Sequence, residues 1–246
     1  MASITLLSSI TGGNTNISSV TISLGTNSAT RLIILTLTVT GTSAINVTPT
    51  YAGNSFVKAG ATVATSEGNV EIWYMTTDTE SKSGFVSYNN KGGLYHVPNV
   101  YTFQSSEQID FHSYQSSFSI SGSTANISTS LGTNTGSVVL NQWHSGYYTL
   151  SGVSKNGTLL HQLDRGNLIN GSAYSVSTSA TSQNLYWSTP SADDYAMAQV
   201  AFLTAAAPPA TGDITSRNSI AFDDMTSVNL VNLSDLGEIN SIDTGN

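Results

Sequence analysis

Residues 35–41 read "LTLTVTG". Leu35, Leu37 and Val39 fall on one side of an extended chain, and Thr36, Thr38 and Thr40 on the other. A period of two is the mark of a strand with one apolar face. The threonines predict a half-buried strand whose outer face carries hydroxyls. The rhythm recurs at "SVTISLG" (19–25), "NVEIWYMTT" (69–77), "NVYTFQ" (99–104), "SFSISG" (117–122) and "TANIST" (124–129). It continues at "SVVLNQWHSGYYTL" (137–150), "GTLLHQL" (157–163), "AYSVSTS" (173–179), "QNLYWS" (183–188) and "YAMAQVAFL" (195–203). In that last run Ala196, Ala198, Val200 and Phe202 face one way. Turn residues such as "TGGNTN" and "YNNKGG" separate the runs, and helical periodicity is almost absent. Many short strands joined by turns predict an all-β fold, an antiparallel β-sandwich of jelly-roll-like kind.

Only 9 % of residues are charged, against roughly 25 % in an average soluble domain. Ser, Thr, Asn and Gly fill the gap, so the surface is wetted by hydroxyls and amides rather than ions. Such a surface fits extracellular or virion-exposed β proteins. Strand edges with so few charges also invite pairing with another chain. The net charge is −8, and Arg31, Lys58, Lys82, Lys91, Lys155, Arg165 and Arg217 are scattered. Phosphate recognition needs clustered bases, so neither nucleic acid nor an anionic membrane is an expected partner. The chain has no cysteine, which removes disulfides and thiolate metal sites. Its first residues, "MASITLLSSITGG", lack the basic start of a secretory signal, and no window has the length of a transmembrane helix.

The pattern breaks at "AAAPPATGD" (205–213), where two prolines stop any strand. Three segments are expected: a sandwich domain over 1–206, a Pro/Ala linker over 207–213, and an acidic-apolar C-terminal arm over 214–246. From residue 207 onward there are six acids against the single base Arg217, so this end carries most of the excess charge. It also carries Phe222, Met225, Val228 and Val231 three apart, then Leu233, Leu236, Ile239 and Ile242 three apart. Disordered tails are normally poor in such residues. The stripe predicts an extended arm that docks on a neighbouring subunit, each anchor contributing roughly 1.5–3 kcal/mol when fully buried.

Chemistry has less support. His96, His112, His144 and His161 form no HxH or HExxH spacing, so a zinc site has no local basis. Asp193 and Asp194 could offer oxygens to calcium, but a turn in which Asp bonds local amides explains them as well. Glu71 with Glu107 or Asp110 could pair for acid–base hydrolysis. Glu71 alternates with Trp73 along its strand, which suits an outer or partner-facing side. No GxSxG or phosphate-binding glycine loop is present. Neither catalysis nor a cofactor is therefore expected. Tyr88, Tyr95, Tyr101, Tyr114, Tyr147, Tyr148, Tyr174 and Tyr186 could serve as platforms for a host glycan.

Five stretches in order resemble a recurring β-sandwich domain of phage virion and tail proteins and of bacterial surface proteins. They are "NSATRLIILTLTV" (27–39), "INVTPTYAGNSFVKAG" (45–60), "NVEIWYM" (69–75), "TGSVVLNQW" (135–143) and "QNLYWSTPSADDYAMAQVAFLTAAA" (183–207). Residues 78–130 are only loosely similar, and the end after Pro209 lies outside the resemblance. The resemblance implies a scaffold and a setting, and brings no catalytic residues. The expected function is a structural protein of a bacteriophage particle, a capsid decoration or cement protein bound to the major capsid protein or other virion subunits. Homo-oligomers are expected, a trimer being suggested by the spacing of three in the arm. A receptor- or glycan-binding module of a tail or cell surface is the alternative, and a β-sandwich glycoside hydrolase or lyase the second.

Overall fold

The computed structural model describes residues 4–12, 19–24, 30–40, 48–77, 83–87, 96–131, 136–146, 149–164, 169–178 and 181–204. The linker and arm, with all eight apolar anchors from Phe222 to Ile242, lie outside the described residues. Every described element is a strand, and all pairings are antiparallel. Strands are numbered in chain order. The first sheet runs β1 (Thr5–Thr11), β10 (His96–Ser105), β3 (Thr30–Thr40), β8 (Gly68–Thr77) and β6 (Val57–Lys58), with β7 (Val63–Ala64) also on β8. The second runs β11 (Ile109–Ser130), β16 (Ser182–Thr204), β12 (Ser137–Ser145), β15 (Ile169–Ser177) and β14 (Thr158–Asp164), with β13 (Ser154–Lys155) on β16. A small third sheet joins β2 (Ser19–Ser23), β9 (Ser83–Ser87), β4 (Thr50–Tyr51) and β5 (Asn54–Ser55). The second sheet is built from consecutive strands, the first is interleaved with strands of the third, and in each large sheet its last strand inserts between its first and its second.

The two large sheets form the expected sandwich. Leu32, Ile34, Ile72, Tyr101 and Phe103 of the first meet Val138, Leu140, Ala196, Ala198, Val200 and Phe202 of the second. The four residues Ala196, Ala198, Val200 and Phe202 do share one face. The outer side of the first sheet is covered as well. Ile33, Leu35, Leu37 and Val39 of β3, with Trp73 and Met75 of β8, pack against Val20, Ile22, Tyr51, Phe56 and Val86 on and around the third sheet.

β3 therefore differs from the half-exposed strand that its alternation predicts. Arg31 to Val39 are all buried. Leu35, Leu37 and Val39 lie under the third sheet, and Thr36 and Thr38 point into the sandwich, both wholly buried. Their hydroxyls meet partners there rather than water.

A fourth layer comes from β11 and β16. Ile109–Ser119 pairs with Tyr195–Thr204, and Thr124–Ser130 pairs with Ser182–Ser188. The register slips twice between Ser119 and Thr124. Opposite the slip lies "TPSADD" (189–194), where Pro190 cannot donate to a ladder. Gly122 sits at the slip because a Cβ there would lie 2.6 Å from Cε1 of Tyr195. The far half of the ribbon folds back over the outer side of its own sheet. Ala125, Ile127, Leu185 and Trp187 bury themselves against Val139, Trp143, Ala173 and Met197. Polar bonds mark the fold-back: Gln199 Nε2 donates to Thr129 Oγ1 at 2.6 Å, and Thr129 Oγ1 to Gln115 Oε1 at 3.2 Å.

Candidate functional site

The inner faces of the sandwich change character along their length. Beyond the apolar half, β3 contributes Thr36 and Thr38, β10 Asn99, β12 Gln142 and His144, β15 Ser172 and Asn170, and β14 His161. None of these is more than 7 % exposed. Polar groups placed so deep need partners, because an unmade hydrogen bond there costs about 1–3 kcal/mol. Gln142 joins the two sheets: its Oε1 accepts from Thr36 Oγ1 at 2.7 Å and from Ser172 Oγ, while its Nε2 donates to Thr38 Oγ1 at 2.8 Å. His161 Nδ1 lies 2.6 Å from the Tyr101 hydroxyl, and its Nε2 lies 2.9 Å from Asn170 Oδ1. Nε2 also lies 3.3 Å from Asn99 Nδ2, and because the Asn170 oxygen is the nearer partner and only accepts, the proton is assigned to Nε2 and Nδ1 accepts from Tyr101.

Both internal histidines are held neutral. Burial lowers the His144 imidazole to about 4, against opposing pulls from the Gly68 backbone and Asp194. Burial likewise lowers His161 to about 4, against its bond to Asn170. Desolvation raises the Tyr101 hydroxyl well above its ordinary range. The group is neutral, and Gln142 and His161 are bonded within it, while neither ring nitrogen of His144 meets a hydrogen-bond partner among the described residues.

Glu71 is buried, at 1 % exposure, where alternation with Trp73 predicted an outer side. Its Oε1 takes a salt bridge from Lys58 Nζ at 3.1 Å and a bond from Thr62 Oγ1 at 2.8 Å. Its Oε2 accepts from Trp73 Nε1 at 2.9 Å, and Lys58 sits 5.2 Å from the centre of the Trp73 ring. A carboxylate so committed would have to break several bonds before taking a proton from a substrate. Asp110, its sequence-level candidate partner, is exposed at the start of β11 and accepts from Gln108 Nε2 at 2.6 Å. Glu107 lies in the turn just before, where its backbone N–H donates to Ser105 Oγ.

Asp193 and Asp194 stand at the bend of β16. Asp193 Oδ1 accepts from the Asp194 N–H at 2.8 Å, the local amide bond of a turn. Asp194 Oδ2 accepts from Ser66 Oγ at 3.0 Å, and its carbonyl accepts from Ser145 Oγ at 2.9 Å and the Gly146 N–H at 3.1 Å. Among the described residues no three His, Asp or Glu side chains converge as metal ligands do. His112 is exposed, within 2.9 Å of the Ser130 carbonyl.

The tyrosines divide. Tyr101 is fully buried, Tyr174 packs against Phe103, and Tyr114 donates to the Ala61 carbonyl at 2.5 Å. Tyr186 is half-buried on the fold-back ribbon, opposite Asn126. Tyr88, Tyr95, Tyr147 and Tyr148 lie outside the described residues. A shallow groove of about 360 Å³ opens at the end of β8, lined by Asn54, Ser55, Val57 and residues 74–77. Hydroxyls and amides dominate its rim.

Alternation alone did not reveal the polar layer or the groove. One cue was available: Asn141–His144 places four polar or amphipathic side chains inside a strand that is otherwise apolar. The class defined by these features is a layered antiparallel β-sandwich with a neutral polar core. The chain matches no family model, no curated protein and no solved structure.

Proposed function

We propose that this chain is a structural protein of a bacteriophage particle, a capsid decoration or cement protein held to neighbouring subunits through residues 214–246. One observation carries the reading: Glu71, Asp194, His144 and His161, the groups best suited to chemistry, are committed to internal bonds or buried packing. What is left for partners is a weakly charged, hydroxyl-rich surface and an acidic-apolar C-terminal stretch. The ordered resemblance to the phage virion sandwich supports the same setting. Clamping would work through many weak contacts at repeated positions, with avidity supplied by repetition. Particles carrying the chain without residues 210–246 test this. Loss of attachment by a chain that still folds is the expected result, and full retention overturns the role of the arm.

A second reading is a glycan-binding module. The groove beside β8 favours it, since a rim of Asn54, Ser55 and Thr76 around Val57 suits an uncharged sugar. Its volume lies near the low end of small-molecule sites, which run from about 300 to 1,000 Å³. Binding of neutral host polysaccharides to the intact chain, lost on Val57→Asp, would support it.

A further inference from the structure

β11 is the outer strand of its sheet, and among the described residues no strand pairs with its far side. An open edge is a template for another chain, and proteins usually guard it with lysine, proline or a short strand. β11 has none of these guards. From Phe111 to Leu131 the sequence contains no Asp, Glu, Lys, Arg or Pro. The most exposed large apolar side chains of the described residues also lie here, Phe118 at 64 % and Ile120 at 78 %.

The guard that β11 does carry is irregularity. Its pairing with β16 slips between Phe111 and Ser113 and again after Ser119. Between the slips lies one regular run of seven residues, Ser113–Ser119, paired without interruption to Ala201–Tyr195. A run bounded in this way leaves few registers for a newcomer, because any longer pairing must cross a slip.

The geometry points to a second copy of this chain as the occupant, pairing β11 to β11 across a two-fold axis at Ser116. Two copies of one strand related by a two-fold axis perpendicular to the sheet are antiparallel, as the sheet itself is. Centring on Ser116 uses the whole regular run. Ser113 then faces Ser119 of the other copy, Tyr114 faces its Phe118, and Gln115 its Ser117. Tyr114 and Phe118 lie on the same side of β11, being four residues apart. Each exposed Phe118 thus gains an aromatic cross-strand neighbour, a favoured pair in sheets. Charge permits the pairing. The net −8 of each copy opposes association in general, yet the paired run brings no charge against another. This association is independent of where the protein resides and of any contact made by residues 214–246.

The absence of native cysteine provides the test. In the full chain, Ser116→Cys places a thiol on the axis, and Ser128→Cys places one on the exposed far half of the same strand. Ser116→Cys is expected to form a disulfide dimer on mild oxidation at least about tenfold faster than Ser128→Cys, because the axis holds its two thiols together. In sedimentation the native chain should approach twice its monomer mass as concentration rises. Phe118→Lys, a change at an exposed position, should remain monomeric with an unchanged thermal transition. Equal oxidation rates for the two cysteine variants, or native-like association of Phe118→Lys, overturn the proposal.

Discussion

The indole of Trp187 lies flat on that of Trp143, with ring centres 4.9 Å apart and planes 3° from parallel. Trp187 belongs to the folded-back half of β16 and Trp143 to the second sheet beneath, so the stack fastens the folded-back layer to that sheet. Trp187 Nε1 also donates to Asn141 Oδ1 at 3.1 Å. Trp187→Ala should cost about 3–5 kcal/mol, the range for a large aromatic lost from a core. Urea unfolding would measure the loss, and disappearance of the near-ultraviolet dichroism of the stacked pair would locate it. A loss under about 1 kcal/mol would mean that the ribbon does not depend on this contact.

Gly171 provides an independent check of the same layer. A Cβ at this position would press into Cη2 of Trp187. Gly171→Ala should destabilise by about 1–3 kcal/mol, the usual cost of overpacking. The same change in a Trp187→Phe background should cost less, because the smaller ring vacates the space. Equal costs in both backgrounds would break the proposed coupling.

The buried histidines make stability depend on pH. Each has a folded value of about 4 against an ordinary 6.5, so between these limits the unfolded chain binds more protons than the folded one. Stability is therefore full above about pH 6.5 and falls as pH drops towards 4. The loss is on the order of 3 kcal/mol for each histidine. Denaturant midpoints at pH 7 and pH 4.5 would show it, and His144→Gln should flatten the profile. A profile flat from pH 7 to pH 4 would refute the neutral core.

Glu71 ties the chain leading into β8 to Trp73 through its bonds to Lys58, Thr62 and the indole. Glu71→Ala strands Trp73 Nε1 and leaves Lys58 Nζ with Thr62 Oγ1 but without its carboxylate. The expected cost is about 3 kcal/mol, as when one partner of a buried pair is removed. Glu71→Gln should cost less, since an amide can still accept from the indole. If the intact chain hydrolyses a glycan and Glu71→Gln abolishes that activity while the fold persists, the structural assignment fails.

The sheet character of the chain was legible because alternation reports local geometry. The number of covered faces was not. "LTLTVTG" alternates cleanly, yet a third sheet over one side and Gln142 on the other bury both sets of side chains. Nothing within the seven residues records a sheet contributed by residues 19–23, 50–55 and 83–87. The bent ribbon was read in pieces for a related reason. "SFSISG" and "TANIST" are two halves of one strand, as are "QNLYWS" and "YAMAQVAFL", and the Gly and Pro between them mark a fold-over rather than an end. The carboxylates misled most where tertiary partners decide. The spacing of Glu71 says nothing of Lys58 and Thr62, which reach it from the chain leading into β8.

The central claim concerns a particle, and particles can be weighed and counted. Quantitative mass spectrometry of purified particles, made with the full chain and with a chain ending at residue 209, is the direct measurement. The account predicts the full chain at high, capsid-like copy number, and the shortened chain folded in solution but missing from the particles. Absence of the full chain from purified particles, or equal copy number for the shortened one, would contradict it.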